Sequence, residues 1–182
     1  MPAYLYVMLG LGWILWVAPF FLMKRRRVKA QRLDARARWG IALQGLGYSL
    51  LWPNAFWQRL VDGRQALLSL SLLVLAILLS WSGAFALGQE WRIDAGINVD
   101  HQLVTSGPYR FVRHPIYSSM LSLLLGTGVL ITPWPMLLLS ACVFIAGTEV
   151  RVRIEDGLLA RHFGDGFAQY QRSVPAYIPL VR

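Results

Sequence analysis

The chain has 182 residues, of which 56% are hydrophobic and 15% are charged, and its net charge is +9. That composition excludes an ordinary soluble domain and indicates an integral membrane protein. The one cysteine, Cys142, excludes a disulfide framework and a cysteine-based metal site. We expect no metal and no nucleic-acid partner, because the positive charge lies beside hydrophobic segments, as it does in proteins that contact anionic lipids.

Five apolar segments approach the roughly 20 residues that cross a bilayer. The second is interrupted at Trp52-Pro53-Asn54, where we expect a kink or an interfacial end, and only "TPWP" separates the last two, which predicts a tight helical hairpin. The predicted fold is an all-α integral membrane protein of about five transmembrane helices, in a single domain covering 1–182. The five segments are 4–23, 41–57, 66–88, 117–131 and 134–148.

The distribution of Lys and Arg predicts the orientation of the chain. Eight of these residues lie in 24–38, and sixteen of the eighteen fall on one side of the membrane if the N-terminus is outside. The connector 89–116 and the C-terminal segment 149–182 would then share the cytoplasmic side, where they can meet. We expect the protein in the cytoplasmic membrane of a prokaryote, with its active site facing the cytoplasm.

A polar stretch, "SGPYRFVRHPIYSS", occupies residues 106–119 between two apolar segments. Gly107-Pro108 predicts a turn, and Pro115 keeps His114 out of the helical region while suiting the first turn of a helix. His114 and Tyr117 would lie about one turn apart at a helix N-terminus, which suits a ligand-binding rim. Taken alone, the stretch is read more simply as a loop with interfacial anchors that enters a helix.

The segment after the fifth apolar stretch carries a second group of polar residues. Apolar residues at helical spacing predict that the helix continues, with Arg151 and Glu155 four residues apart on one face. A surface salt bridge is the ordinary alternative for such a pair. Gly164 and Gly166 predict the end of this helix, and "FAQYQRSV" predicts a short amphipathic one after it.

Together, "LVTSGPYRFVRHPIY" at 103–117 and "RVRIEDGLLARHFGDGFAQYQRSVPAYIP" at 151–179 resemble the isoprenylcysteine carboxyl methyltransferase family. That family is similar to the phospholipid methyltransferases. The resemblance covers roughly the C-terminal half of the chain. It implies a membrane methyltransferase that uses S-adenosylmethionine, with the cofactor pocket made by the connector and completed by the C-terminal helix.

The resemblance also implies roles for particular residues. Arg151 would orient a substrate carboxylate, and Glu155 would contact the cofactor. The other implied cofactor-binding residues are His101, Gln102, Leu103, Val104, Tyr109, His114, Pro115, Ile116 and Tyr117. The chain departs from the family at Ser119, where glycine is common, and at Glu155-Asp156, which stands where the family has two glutamates.

The acceptor implied by the resemblance is lipophilic, and a prenylcysteine-like carboxylate fits best, with a phospholipid amine or a small thiol as alternatives. We expect an apolar cleft between the first, second and fifth spans to admit its chain. Two other classes of protein stay open. One is a relative of the NADPH-binding sterol reductases, which are much longer, and the other is a membrane protein without enzymatic activity.

Overall fold

The computed structural model describes residues 1–22, 32–33, 35–52, 60–88, 96–97 and 102–179. Within these ranges, the regular structure is helical apart from one two-residue strand pair. The strands are β1, Arg32–Leu33, and β2, Gly96–Ile97, and a 3-10 turn covers Gly107–Arg110. The helices are α1 Ala3–Leu22, α2 Ala37–Ser49, α3 Gly63–Leu87, α4 Pro115–Ile131, α5 Trp134–Phe163 and α6 Asp165–Ser173.

The long helices have the length and composition of membrane spans. In the described part of the chain, α1, α3 and α5 are each long and apolar enough to cross a bilayer, and α4 is a shorter apolar helix of 17 residues. The chain is therefore an all-α integral membrane protein, as predicted. The first, third and fourth predicted spans match α1, α3 and α4 to within three residues at each end.

The second and fifth predicted spans have different bounds from the helices observed. Helix α2 begins four residues before the predicted start and ends at Ser49, ahead of Trp52 and Pro53. Residues 53–59 lie outside the described residues. The fifth span continues without a break into the C-terminal segment, so that α5 runs for 30 residues.

The helices run in alternating directions through the bundle. Gly12 lies against Leu73, and the Ser80 hydroxyl donates to the carbonyl of Trp16 (2.6 Å), so α1 is parallel to α3. Gly83 lies against Pro115, and the Ser69 hydroxyl donates to the carbonyl of Gly126 (2.7 Å), so α3 is antiparallel to α4. Gly40 lies beside Gly147, and the Ser140 hydroxyl donates to the carbonyl of Gly47 (2.7 Å), so α2 is antiparallel to α5. This alternation is the one that five successive crossings require.

Buried polar groups join these helices. Trp13 and Trp16 of α1 donate their indole N–H groups to Thr127 and Ser119 of α4, each at 3.1 Å. In a membrane such bonds hold helices together, because apolar contact alone does not favour protein over lipid. Ser119, the residue that departs from the family pattern, is fully buried and holds α1 against α4 at this point.

Glycines allow α2 to lie almost against the backbone of α5. A Cβ at Gly40 would come within 2.7 Å of the carbonyl oxygen of Gly147, and one at Gly47 within 3.0 Å of that of Ser140. At Gly45, by contrast, nothing lies within 4 Å. The predicted cleft therefore does not open between α2 and α5 beside Gly40 and Gly47. An opening beside α1 stays a prediction.

One end of the bundle, here called the connector end, collects the polar segments. The chain between α1 and α2 and the connector between α3 and α4 meet there, because Arg32 and Leu33 pair antiparallel with Ile97 and Gly96. Helix α5 leaves the bundle at the same end and stops at Gly164, whose φ of 54° suits glycine. Helix α6 follows it directly, as predicted.

Candidate functional site

The connector enters the site through a tight turn. Residues 102–105 have no regular structure and lead into the 3-10 turn, which Gly107 opens at φ 61° and Pro108 follows. The turn buries Tyr109, whose exposed fraction is 6%. Burial, with Tyr170 and Glu155 nearby, raises the pKa of Tyr109 well above its usual range, so its hydroxyl remains protonated.

Helix α4 starts where the two prolines predict. His114 is the residue before the helix, with φ −128° and ψ 64°, and Pro115 begins it. The imidazole of His114 is buried and stacks on the Tyr117 ring, with 5.6 Å between centroids and 24° between planes. Pro115 and Ile116 lie against Gly83 of α3, within 3.5 Å of where its Cβ would be.

Arg151 and Glu155 lie one turn apart on α5, as predicted, and bind each other. Arg151 Nη2 is 3.2 Å from Glu155 Oε1, and its guanidinium lies over the Tyr117 ring, 5.2 Å from the centroid. The Tyr117 hydroxyl donates to the same carboxylate oxygen of Glu155. Because Arg151 is only 8% exposed, this pair is not a surface salt bridge, which was the alternative interpretation of the sequence.

His114 bridges two carboxylates of α5. Its Nε2 lies 2.9 Å from Asp156 Oδ1 and its Nδ1 lies 3.5 Å from Glu155 Oε2. Burial alone would lower the pKa of His114, but hydrogen bonds to Asp156 and Glu155 and the charges of these two groups raise it to about 9. The imidazole is therefore a cation at neutral pH.

Sequence reasoning missed three residues that hold this cluster. Asp156 was noted only as a departure from the family pattern, and Arg113 and Gln171 were given no role. Asp156 Oδ2 accepts hydrogen bonds from Arg113 Nη2 at 2.8 Å and Gln171 Nε2 at 3.2 Å. The signal in the sequence was an adjacent acid pair, Glu155-Asp156, on the same side of the membrane as an adjacent cation pair, Arg113-His114.

The segment after α6 pairs with the connector through its backbone. The N–H groups of Arg113 and His114 donate to the carbonyls of Pro175 and Ala176 at 2.9 and 2.8 Å. The Ser118 hydroxyl donates to the carbonyl of Tyr177 at 2.5 Å. These bonds confirm that the connector and the C-terminal segment meet.

The structure brings five of the predicted site residues into one cluster. Pro115 and Ile116 face α3 instead, Leu103 and Val104 are half-buried in the connector, Gln102 is exposed, and His101 lies outside the described residues. Cofactor contacts of these six residues stay predictions. The five clustered residues are Tyr109, His114, Tyr117, Arg151 and Glu155.

The profile of the phospholipid methyltransferase family (PEMT) matches residues 65–166, which include most of α3, the connector, α4 and all of α5. The chain belongs to the phospholipid methyltransferase family. Within this family, it is similar to a protein-S-isoprenylcysteine O-methyltransferase of Schizosaccharomyces pombe, with 39% identity over 84 residues, which are 46% of this chain and 36% of the relative. The resemblance found in the sequence is thereby confirmed.

Other relatives carry names of two kinds. Protein-S-isoprenylcysteine O-methyltransferase B of Arabidopsis thaliana is 34% identical over 82 residues, 44% of this chain and 41% of the relative. The cobalt-zinc-cadmium resistance protein CzcN of Cupriavidus metallidurans is 37% identical over 82 residues, 45% of this chain and 38% of the relative. The chain thus matches about two fifths of the length of these relatives.

Proposed function

We propose that this protein is a membrane methyltransferase that uses S-adenosylmethionine to methylate a lipophilic acceptor, most simply the carboxylate of a prenylcysteine-like molecule. The observation that carries the proposal is the cluster of His114, Tyr117, Arg151 and Glu155 at the membrane boundary of α5. Membership of the phospholipid methyltransferase family and similarity to isoprenylcysteine methyltransferases support the reaction class.

The residues of the cluster fit S-adenosylmethionine. Glu155 is the most exposed of the charged side chains, at 21% against 8% to 10% for the others, so its carboxylate is the one open to a ligand. It can accept hydrogen bonds from an ammonium or from ribose hydroxyls, while the rings of Tyr109 and Tyr117 suit the adenine and the sulfonium. When bound, the cofactor supplies an electrophilic methyl group to a nucleophilic oxygen, nitrogen or sulfur.

Arg151 is the residue that favours a carboxylate acceptor. With His114 protonated, the cluster holds three cations, completed by Arg113, against the two anions Glu155 and Asp156. One surplus positive charge suits an anionic group, and a guanidinium can orient a carboxylate through two parallel hydrogen bonds. Because a carboxylate is ionised at neutral pH, the acceptor needs no general base, and orientation and exclusion of water contribute most of the rate.

The substrate test compares two arginines of α5 in the purified protein. We expect Arg151→Ala to lower kcat/KM for a prenylcysteine carboxylate by about 10- to 100-fold, the cost of a hydrogen bond to a charged group. Arg153→Ala is the matched control, because Arg153 is 77% exposed and pairs with Glu149. Methyl transfer from labelled S-adenosylmethionine to carboxylate, phospholipid amine and thiol acceptors gives the rates.

The outcomes distinguish the acceptors and the reaction class. If Arg151→Ala keeps full turnover and normal cofactor affinity, the acceptor is not a carboxylate and an amine or thiol takes its place. Calorimetric titration of the wild type with S-adenosylhomocysteine and with NADPH tests the class itself. Tight binding of NADPH alone would refute the methyltransferase and favour the reductase alternative, whereas binding of neither favours a protein without enzymatic activity.

We also propose that the connector end faces the cytoplasm of a prokaryotic cell, with the N-terminus outside. The support is the excess of Lys and Arg in the segments that lead to this end of the bundle. The acceptor would then approach from the cytoplasmic leaflet. Its apolar chain would lie beside α1, because α2 and α5 are in close contact.

A further inference from the structure

Asp156 has hydrogen bonds to three side chains, although sequence reasoning assigned it no role in binding. It is 7% exposed, and its two carboxylate oxygens accept from Arg113 Nη2, His114 Nε2 and Gln171 Nε2 at 2.8, 2.9 and 3.2 Å. The donors come from the connector and from α6. One carboxylate on α5 therefore ties together the two segments that enclose the cluster.

The bond to His114 fixes the imidazole in one orientation. Its second nitrogen, Nδ1, faces Glu155 Oε2 at 3.5 Å, and one face of the ring stacks on Tyr117. The backbone N–H of His114 is also held, by the carbonyl of Ala176 at 2.8 Å. Because both ring nitrogens have partners, the ring cannot turn without losing a charge-assisted hydrogen bond.

We propose that Asp156 is a positioning residue, which holds the imidazole of His114 against the carboxylate of Glu155. Asp156 does not touch the open side of the cluster, so it acts on a ligand only through His114. The contacts of His114 with Asp156 and Glu155 do not depend on the proposed function. The effect of Asp156 on cofactor binding rests on that function.

The charged and titratable groups around His114 come from three elements. Glu155 and Asp156 face it from α5, and Tyr117 stacks on it from α4. Arg113 of the connector reaches it through Asp156, and Arg151 through Glu155. Removing the Asp156 charge leaves Arg113 uncompensated beside the imidazole. The protonated state of His114 is then stabilised by Glu155 alone.

The test follows the protonation of His114 by NMR in detergent micelles. The background is His101→Gln with His162→Gln, which leaves His114 as the one histidine of the chain. We expect Asp156→Asn to lower the pH midpoint of His114 by about one unit or more, the effect of losing an opposite charge at this distance. Asp156→Glu should keep the midpoint near the wild-type value. Asp165→Asn is the matched control, because Asp165 is an exposed acid at the start of α6.

A second measurement is calorimetric binding of S-adenosylhomocysteine by the same three Asp variants, made in the wild-type background with His101 and His162 intact. We expect affinity to fall with Asp156→Asn, to recover with Asp156→Glu and to be unchanged with Asp165→Asn. A wild-type midpoint for His114 in Asp156→Asn overturns the proposal, and so does equal loss in the Asn and Glu variants. If the wild type fails to bind S-adenosylhomocysteine while Asp156→Asn still lowers the midpoint, the positioning role stands and the proposed function fails.

Discussion

At the scale of single residues, the cluster works through shared partners rather than through isolated pairs. Glu155 accepts from Arg151 and Tyr117, while His114 lies between Glu155 and Asp156. Glu155 and His114 thus each have two partners, which offsets the cost of burying their charges. The loss of stability on removing one member therefore includes the cost of leaving its buried partners without a hydrogen bond.

His114 makes the stability of the protein depend on pH. Its pKa is raised to about 9 in the folded protein, whereas the ordinary pKa of a histidine side chain is 6.5. The protonated imidazole therefore stabilises the fold fully below about pH 6.5, and this contribution, of the order of 3 kcal/mol, is lost as the pH rises through 9. We expect Tm in detergent to fall between pH 6.5 and 9.

His114→Gln provides the reference for that measurement, because it cannot gain the charge. Its Tm should be lower than that of the wild type at pH 6 and should approach it at pH 9.5. All the other titratable groups are present in both proteins, so the difference between the two curves isolates His114. Parallel curves across this range would mean that His114 is neutral in the folded protein.

At the scale of elements, hydropathy and proline positions predicted most of the fold. Pro115 marked the start of α4, and Gly164 marked the end of α5. The second helix was harder, because "LQGLGYSLLWPN" is apolar beyond the point at which α2 ends, and hydropathy does not show where a helix ends. Periodicity also could not show which glycines of α2 face α5: Gly40 and Gly47 do, and Gly45 does not.

The contacts within the site were likewise predictable only in part. Motif spacing predicted that His114, Tyr117, Arg151 and Glu155 come together, and they do. It could not predict that Asp156 binds the connector, because the partners lie 42 and 43 residues away in sequence. Contacts of that kind depend on how α5 and α4 are rotated about their axes. No local pattern records that rotation.

The close contact of α2 and α5 gives a prediction with a built-in control. In Gly40→Ala the new Cβ would lie 2.7 Å from the carbonyl of Gly147, so the helices must move apart at Arg151. We expect a loss of about 1–3 kcal/mol in stability, as in other overpacked cores, together with weaker S-adenosylhomocysteine binding. Gly45→Ala, in open space on the same helix, should leave both unchanged.

Thermal melting and calorimetric titration of the two glycine variants provide the comparison. Equal behaviour of Gly40→Ala and Gly45→Ala would show that α2 does not fix the position of Arg151. A loss of stability without any loss of binding would limit the role of Gly40 to packing.

At the scale of the whole molecule, the alternating helix directions and the distribution of basic residues agree. The strand pair between Arg32–Leu33 and Gly96–Ile97 brings two of the polar segments together at the connector end. Leu51, which follows α2, lies at the opposite end, where its carbonyl accepts a hydrogen bond from Thr132 just after α4. The segments expected in the cytoplasm are therefore on one side of the bundle.

Cysteine labelling across the membrane tests this orientation. With Cys142 replaced by Ala, we expect Leu60→Cys to react with an impermeant thiol reagent from outside intact cells, because Leu60 is 94% exposed near the start of α3. Arg172→Cys, on α6, should react only in inverted vesicles. Reaction of both cysteines from the same side would contradict the alternating arrangement. Reaction of the residue 172 variant alone from outside intact cells would show that the protein has the opposite orientation.

Under the proposed function, the uninterrupted α5 also determines how an acceptor would reach the site. At about 1.5 Å per residue, its 30 residues measure about 45 Å, whereas the hydrocarbon layer is about 30 Å thick. With about the first 20 residues of α5 in the hydrocarbon, Arg151 and Glu155 would lie where hydrocarbon gives way to head groups, within reach of a molecule that never leaves the lipid. Encounters would then occur by lateral diffusion in two dimensions. The rate of methyl transfer would follow the mole fraction of acceptor in the lipid. Diluting the acceptor with inert phospholipid should therefore slow methyl transfer, even when the amount of acceptor per volume of suspension is constant.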